Sequence, residues 1–111
     1  MRPIRDREKL DAVMEAVSAV DLEKTQGWTA LTKLSKKPIV EGTDAVPEGI
    51  FEIGPDKFTA AATVYVALTY GTKPDAYESA NSFPSLVTGH FDTTGKAKID
   101  SLTIDTSSFS E

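Results

Sequence analysis

The chain has 111 residues, of which 40% are hydrophobic and 26% are charged, and its formal net charge is −5. These values favour one soluble globular domain over residues 1–111 that can form its own core. The acidity disfavours nucleic acid as a partner, because a binder needs a basic surface to displace counterions from phosphates. The chain has no cysteine, which excludes disulfides and thiolate chemistry. The longest apolar stretch, residues 60–68, is too short to cross a membrane, so a cytoplasmic protein is expected.

The first element is an amphipathic helix over residues 6–22. Its apolar side chains recur at spacings of three and four residues, which places them on one face of a helix: Leu10, Val13, Met14, Val17 and Val20. Asp6 is a suitable N-cap, and Gly27 is expected to end the helical pattern. The apolar stripe favours packing on the protein's own sheet, and the alternative is a helix that binds a partner.

Residues 28–34 fit either a short helix or a strand, because Leu31 and Leu34 have helical spacing while Trp28 and the threonines favour a strand. We predict a second short helix. Residues 35–48 contain Pro38, Gly42 and Pro47 among charged residues and predict a long connection.

A β-hairpin follows, with a short strand at residues 50–53 and a turn at Gly54-Pro55-Asp56-Lys57. Its returning strand, residues 58–70, has the clearest pattern in the chain, because apolar residues alternate strictly with a second set rich in threonine. The apolar set should face the core: Phe58, Ala60, Ala62, Val64, Val66, Leu68 and Tyr70.

A second hairpin is predicted after a polar loop at residues 72–82. Its first strand, residues 83–92, accepts Pro84 only near its start or at a sheet edge. The turn at residues 92–96 contains Gly95, and the last strand covers residues 97–105. Ile99 differs in parity from Leu102 and Ile104, so a β-bulge near Asp100 or Ser101 is needed to bring all three to one side.

The predicted fold is therefore α+β, with an N-terminal helix and a second short helix packed on one face of a roughly four-stranded antiparallel sheet. This order of elements is similar in outline to cystatin-like and NTF2-like α+β folds. Such folds include enzymes, ligand carriers and interaction modules, so the outline alone does not define a function.

Candidate catalytic chemistry is sparse. His90 is the only histidine, and Asp92, at the same strand parity, is its nearest candidate partner. The Asp92-Thr93-Thr94-Gly95 segment lacks the Asp-Thr-Gly spacing and the second copy that an aspartic protease needs. Asp92, Asp100 and Asp105 do not have the ligand spacing of a calcium loop. No nucleotide or nucleophile motif is present, so we expect no metal, no cofactor and a noncatalytic protein.

The second face of the predicted sheet is the best candidate binding surface. If the two long strands are neighbours, one strand contributes Thr63, Tyr65 and Thr69, and the other contributes Leu86, Thr88 and His90. Aromatic and small polar residues on a rigid sheet suit protein contacts. The alternative is a solvated face without a partner.

The sequence thus favours a protein-binding or regulatory domain that associates with itself or another protein through a sheet face or edge. The alternative function is a small-molecule-binding or enzymatic domain with a pocket between the helix and the sheet. Trp28, Tyr70 and His90 are the candidate lining residues for that pocket.

Overall fold

The computed structural model describes residues 2–34, 38–70 and 77–106. Two helices pack on one antiparallel sheet whose strands lie in the order β1-β2-β3-β4-β5, so each strand pairs with its neighbour along the chain. The elements are β1 (Arg2–Pro3), α1 (Arg7–Ser18), a 3-10 turn (Leu22–Lys24), α2 (Gln26–Thr32), β2 (Ile39–Gly54), β3 (Lys57–Tyr70), β4 (Tyr77–Phe91) and β5 (Ala97–Ile104). The α+β class and the helix-on-sheet arrangement are confirmed, with five strands in place of about four.

Helix α1 follows the predicted pattern. Asp6 caps it, since its side chain accepts a hydrogen bond of 2.9 Å from the Glu8 backbone N–H. Val13 and Val17 are fully buried, whereas Met14 at the margin of the stripe is 37% exposed. The helix ends at Ser18, earlier than expected, because the next capping residue, Asp21, begins a separate 3-10 turn.

The predicted second helix is confirmed as α2, but Gly27 lies inside it and does not terminate a helix. The reason is close packing. A Cβ at position 27 would lie 2.8 Å from Ile104 and 2.9 Å from Leu102, so the glycine lets α2 approach β5. The Gln26 side chain also accepts a hydrogen bond of 3.3 Å from the Leu102 backbone N–H.

Strand β2 corrects the prediction of a long connection over residues 35–48. Residues 35–37 lie outside the described part of the chain, and from Ile39 onward the segment pairs with β3. Register shifts between Val40 and Gly42 and between Ala45 and Ile50 break its alternation. These irregularities hid the strand, and Pro47 lies in the second of them, where it interrupts no paired residue.

The alternation predicted for β3 is confirmed from Phe58 to Leu68, where every second residue is buried. The side chains of Thr69 and Tyr70 lie outside the described part of the structure. Strand β3 begins after a two-residue turn in which Asp56 has a φ of 59°. The carbonyl oxygen of Asp56 accepts a hydrogen bond from the Phe91 N–H, which ties this turn to β4.

Strand β4 begins at Tyr77, so residues 77–82 belong to a strand and not to the predicted loop, while residues 71–76 lie outside the described ranges. Pro84 is therefore well inside β4. Its carbonyl oxygen accepts from the Asp105 N–H, which places this side of Pro84 just beyond the last β5 residue, Ile104. The N–H that Pro84 lacks would point to the same side, beyond the end of the β4–β5 pairing. Proline therefore removes no hydrogen bond between paired residues of these two strands.

The predicted bulge in β5 is confirmed. Ser101 pairs with Thr88 and Ile99 pairs with Gly89, which leaves Asp100 as the extra residue. The bulge lets Leu102 and Ile104 be buried while Ile99 still packs against the core. The preceding turn uses Gly95 at a φ of 88°.

The core lies between the helices and one face of the sheet. Its buried members are Ile4, Val13, Val17, Leu22, Leu31, Ile50, Phe58, Ala60, Ala62, Val64, Val66, Leu68, Phe83, Val87, Phe91, Leu102 and Ile104. Within the described residues, no helix has the length and apolar character needed to span a membrane.

Candidate functional site

The helices cover one side of the sheet, and the other side, here called the open face, carries the alternate residues of β2 to β5. The register places Thr59 opposite Thr88, Ala61 opposite Leu86 and Tyr65 opposite Ser82. Strand β5 continues these rows with Ser101 and Thr103.

Five of the six predicted binding residues lie on the open face: Thr63, Tyr65, Leu86, Thr88 and His90. The backbone of Thr69 pairs with Glu78, but the Thr69 side chain lies outside the described part of the structure. Tyr65 is 41% exposed and Leu86 is 53% exposed. They stand four residues apart along the strands, roughly 13 Å, so they are separate protrusions from one surface.

The two central strands carry no charged side chain on the open face between the Thr59–Thr88 row and the Tyr65–Ser82 row. The residues there are Thr59, Ala61, Thr63 and Tyr65 of β3 and Ser82, Pro84, Leu86 and Thr88 of β4. This region is neutral in a chain of which 26% is charged. Depletion of charge around exposed aromatic and aliphatic side chains is typical of the centre of a protein interface.

Charged residues border this neutral centre beyond one of its ends and on its two sides. At one end, Lys57, His90 and Lys98 stand side by side on three neighbouring strands, and we call them the basic row. The Asp100 carboxylate also lies there, 2.9 Å from Nδ1 of His90. Toward the other end, Asp44 pairs with Thr63, and Asp105 donates its backbone N–H to Pro84. Asp44 and Asp105 therefore flank the Thr63–Pro84 row, which we call the acidic row.

The hydrogen bonds of His90 differ from the expectation. Its Nδ1 lies 2.9 Å from Oδ1 of Asp100, the bulge residue, and not beside Asp92. The Asp92 carboxylate instead accepts hydrogen bonds from the hydroxyl of Thr94 and from the backbone N–H groups of Thr94 and Lys96. These donors, above all the Thr94 hydroxyl, hold the pKa of Asp92 below its ordinary value. Asp92 therefore organises its own turn.

The arrangement offers surface contacts more readily than chemistry. Next to His90, the hydroxyls of Thr88 and Ser101 lie 2.5 Å apart and are satisfied by each other. His90 and Asp100 are both substantially exposed, with side-chain exposures of 44% and 52%. Within the described ranges, no three histidine or acidic residues are close enough to hold a metal ion together.

Two of the residues predicted to line a pocket between the helix and the sheet, Trp28 and His90, do not lie together. Trp28 packs against the core from α2, whereas His90 lies on the open face, so the sheet separates the two residues. The Tyr70 side chain lies outside the described part. A cleft of about 270 Å³ does exist between α1 and the β4–β5 turn, lined by Ala12, Glu15, Ala16, Ala19 and residues 94–98. Neither Trp28 nor His90 lines this cleft.

Sequence reasoning missed two features of the open face. Ile39 is 52% exposed and lies beside Ala67, but its strand was interpreted as a connection. The basic row was also missed, because strand parity shows which face a residue occupies but does not show which residues of different strands stand side by side.

Comparison of the chain with protein-family models, with curated proteins and with solved structures found no significant match.

Proposed function

We propose that this chain is a noncatalytic protein-interaction domain that binds through the open face of its sheet. The observation that carries the proposal is the neutral centre of that face, from which Tyr65 and Leu86 protrude. A fitting partner is a protein surface that is itself nearly uncharged at its centre. A strongly basic partner would find no acidic residues there with which to pair.

Several contacts favour the face over the sheet edges as the binding element. The outer edge of β2 is already paired with β1 at Phe51 and Glu52, and the strand is interrupted by three register shifts and by Pro47, features that blunt an edge against strand addition. On the other edge, the Gln26 side chain already occupies the Leu102 N–H of β5.

A photo-crosslinking experiment tests this proposal. A photoreactive phenylalanine analogue replaces Tyr65 in one variant and Thr29, which is exposed on α2 at the opposite side, in a matched control. Each purified variant is irradiated alone and in an extract of its host. The proposal predicts an adduct of defined mass from position 65 that the control does not form.

Competition with unlabelled protein shows whether the position-65 adduct is specific. Excess unlabelled wild type should suppress the adduct, whereas excess Leu86→Lys variant should not, because it places a charge in the neutral centre. If position 65 yields no adduct, or if both competitors suppress it equally, the open face is not the binding surface.

A further inference from the structure

We infer that residues 2–5 form a strap that opens independently of the rest of the domain, with Glu52 of β2 as the latch that holds it closed. When it is closed, the strap covers part of the outer edge of β2, because Arg2 pairs with Glu52 and Pro3 pairs with Phe51. The inference goes beyond the open face, since it concerns an edge of the sheet and a movement of the chain.

Few backbone contacts hold the strap. Pro3 has no N–H to donate to the neighbouring strand. The Ile4 N–H donates a hydrogen bond of 3.1 Å to the carbonyl oxygen of Ile50, just beyond the paired residues. The strap ends at Asp6, which caps α1. A two-residue strand at the edge of the sheet is therefore held less firmly than β3, which pairs with a strand on each side.

Ile4 is the side chain that anchors the strap in the core. It is 7% exposed, whereas Arg2, Pro3 and Arg5 are exposed. Opening the strap thus removes one apolar side chain from the core and leaves the other buried residues of both helices and the sheet in place. A segment with so few buried contacts opens at a lower free energy than the whole domain.

The Glu52 carboxylate binds a cation at each end of the strap. Its Oε1 lies 3.7 Å from Nη2 of Arg2, and its Oε2 lies 3.0 Å from Nζ of Lys9 in the first turn of α1. The hydrogen bond to Glu52 raises the pKa of Lys9, and the same Nζ lies 5.7 Å from the centroid of the Phe91 ring. Glu52 therefore holds the strap on one side and the start of α1 on the other.

This latch is exposed enough for salt to screen it. The side chain of Arg2 is 85% exposed and that of Lys9 is 43% exposed. Ion pairs of this kind are weak, and salt weakens them further. Opening of the strap should therefore increase with ionic strength, a dependence that the burial of Ile4 alone would not give.

Native-state hydrogen exchange, measured by NMR on the full chain, tests the inference. The Ile4 amide reports opening of the strap, and the Val64 amide in the central strand β3 reports opening of the core. After correction for intrinsic rates, Ile4 should exchange at least about tenfold faster than Val64 in wild type. Equal rates would show that the strap opens only when the domain unfolds, and would overturn the inference.

A charge-neutral variant tests the latch. Glu52→Gln should raise the exchange rate of Ile4 relative to Val64 by about two- to tenfold, because it removes two exposed ion pairs. Asp11→Asn is the matched control, since it removes an exposed ion pair of 3.2 Å with Arg7 within α1. If the two variants change the ratio equally, Glu52 is not the latch.

Salt separates the latch from a general structural role of Glu52. Raising the salt concentration from about 0.01 M to about 1 M should increase the ratio of Ile4 to Val64 exchange in wild type and leave it unchanged in Glu52→Gln. A wild-type ratio that does not respond to salt, or an equal response in the variant, would overturn the electrostatic latch.

Discussion

Tyr65 and Val66 are neighbours in β3 but lie on opposite faces of the sheet: the tyrosine is 41% exposed, and the valine is fully buried in the core. Val66→Asp should therefore unfold the domain, because a buried unpaired carboxylate costs several kcal/mol, comparable with the total stability of a small domain. Tyr65→Ser should remain folded. Urea denaturation followed by circular dichroism measures both variants, and an unchanged midpoint for Val66→Asp would refute this assignment of faces.

Gly89 should tolerate no side chain. A Cβ there would lie 2.5 Å from the Phe58 ring and closer still to the Lys98 carbonyl oxygen. Gly89→Ala should lower the free energy of unfolding by roughly 1 to 3 kcal/mol, the usual range for overpacking. Gly42→Ala is the matched control, since among the described residues no heavy atom other than those of its chain neighbours lies within 4 Å of its Cβ position. Equal denaturation midpoints for the two variants would show that β4 and β5 are not packed in this way.

Asp56 adopts a left-handed conformation, with a φ of 59°, in the turn between β2 and β3. Asp56→Gly should raise the free energy of unfolding by up to about 1 kcal/mol, because glycine adopts positive φ without steric cost. The control Lys57→Gly changes a strand residue with ordinary φ and should be destabilising. Thermal melts of both variants give the comparison, and a lower melting temperature for Asp56→Gly would contradict the turn geometry.

Features that depend on local periodicity could be predicted from the sequence, and features that depend on strand register could not. The strict alternation in β3 and the parity change between Ile99 and Leu102 predicted a buried face and a bulge, since both depend on local periodicity. Strand β2 was missed because its own irregularities remove that periodicity. The pairing of His90 with Asp100 depends on which residue bulges, and the basic row depends on strand register, so neither is visible in a single segment.

The turn at Asp92 should make stability depend on acid pH. Hydrogen bonds, above all from the Thr94 hydroxyl, lower the pKa of Asp92 in the folded protein. The ionised carboxylate therefore stabilises the fold fully above the pKa of the unfolded chain, near 3.8, and this contribution is lost as the pH falls through the lower folded value.

Wild type should accordingly be more stable than Asp92→Asn at neutral pH, and the difference should shrink below about pH 4. Thr94→Val, which removes the hydroxyl donor, should raise the Asp92 pKa measured by NMR titration. A stability difference that stays constant down to the lowest accessible pH would contradict a role for the ionised carboxylate.

Sedimentation equilibrium of wild type and Tyr65→Ser over a wide concentration range measures association through the open face. Circular dichroism serves as the folding control. If the open face binds a second copy of the chain, wild type should form a concentration-dependent dimer that Tyr65→Ser weakens by about 1 to 3 kcal/mol, the range of an aromatic anchor. His90→Ala should have a smaller effect, because the imidazole is bound to Asp100 of its own chain. A wild type that remains monomeric at the highest concentration, or a dimer that Tyr65→Ser leaves unchanged, would rule out self-association through the open face.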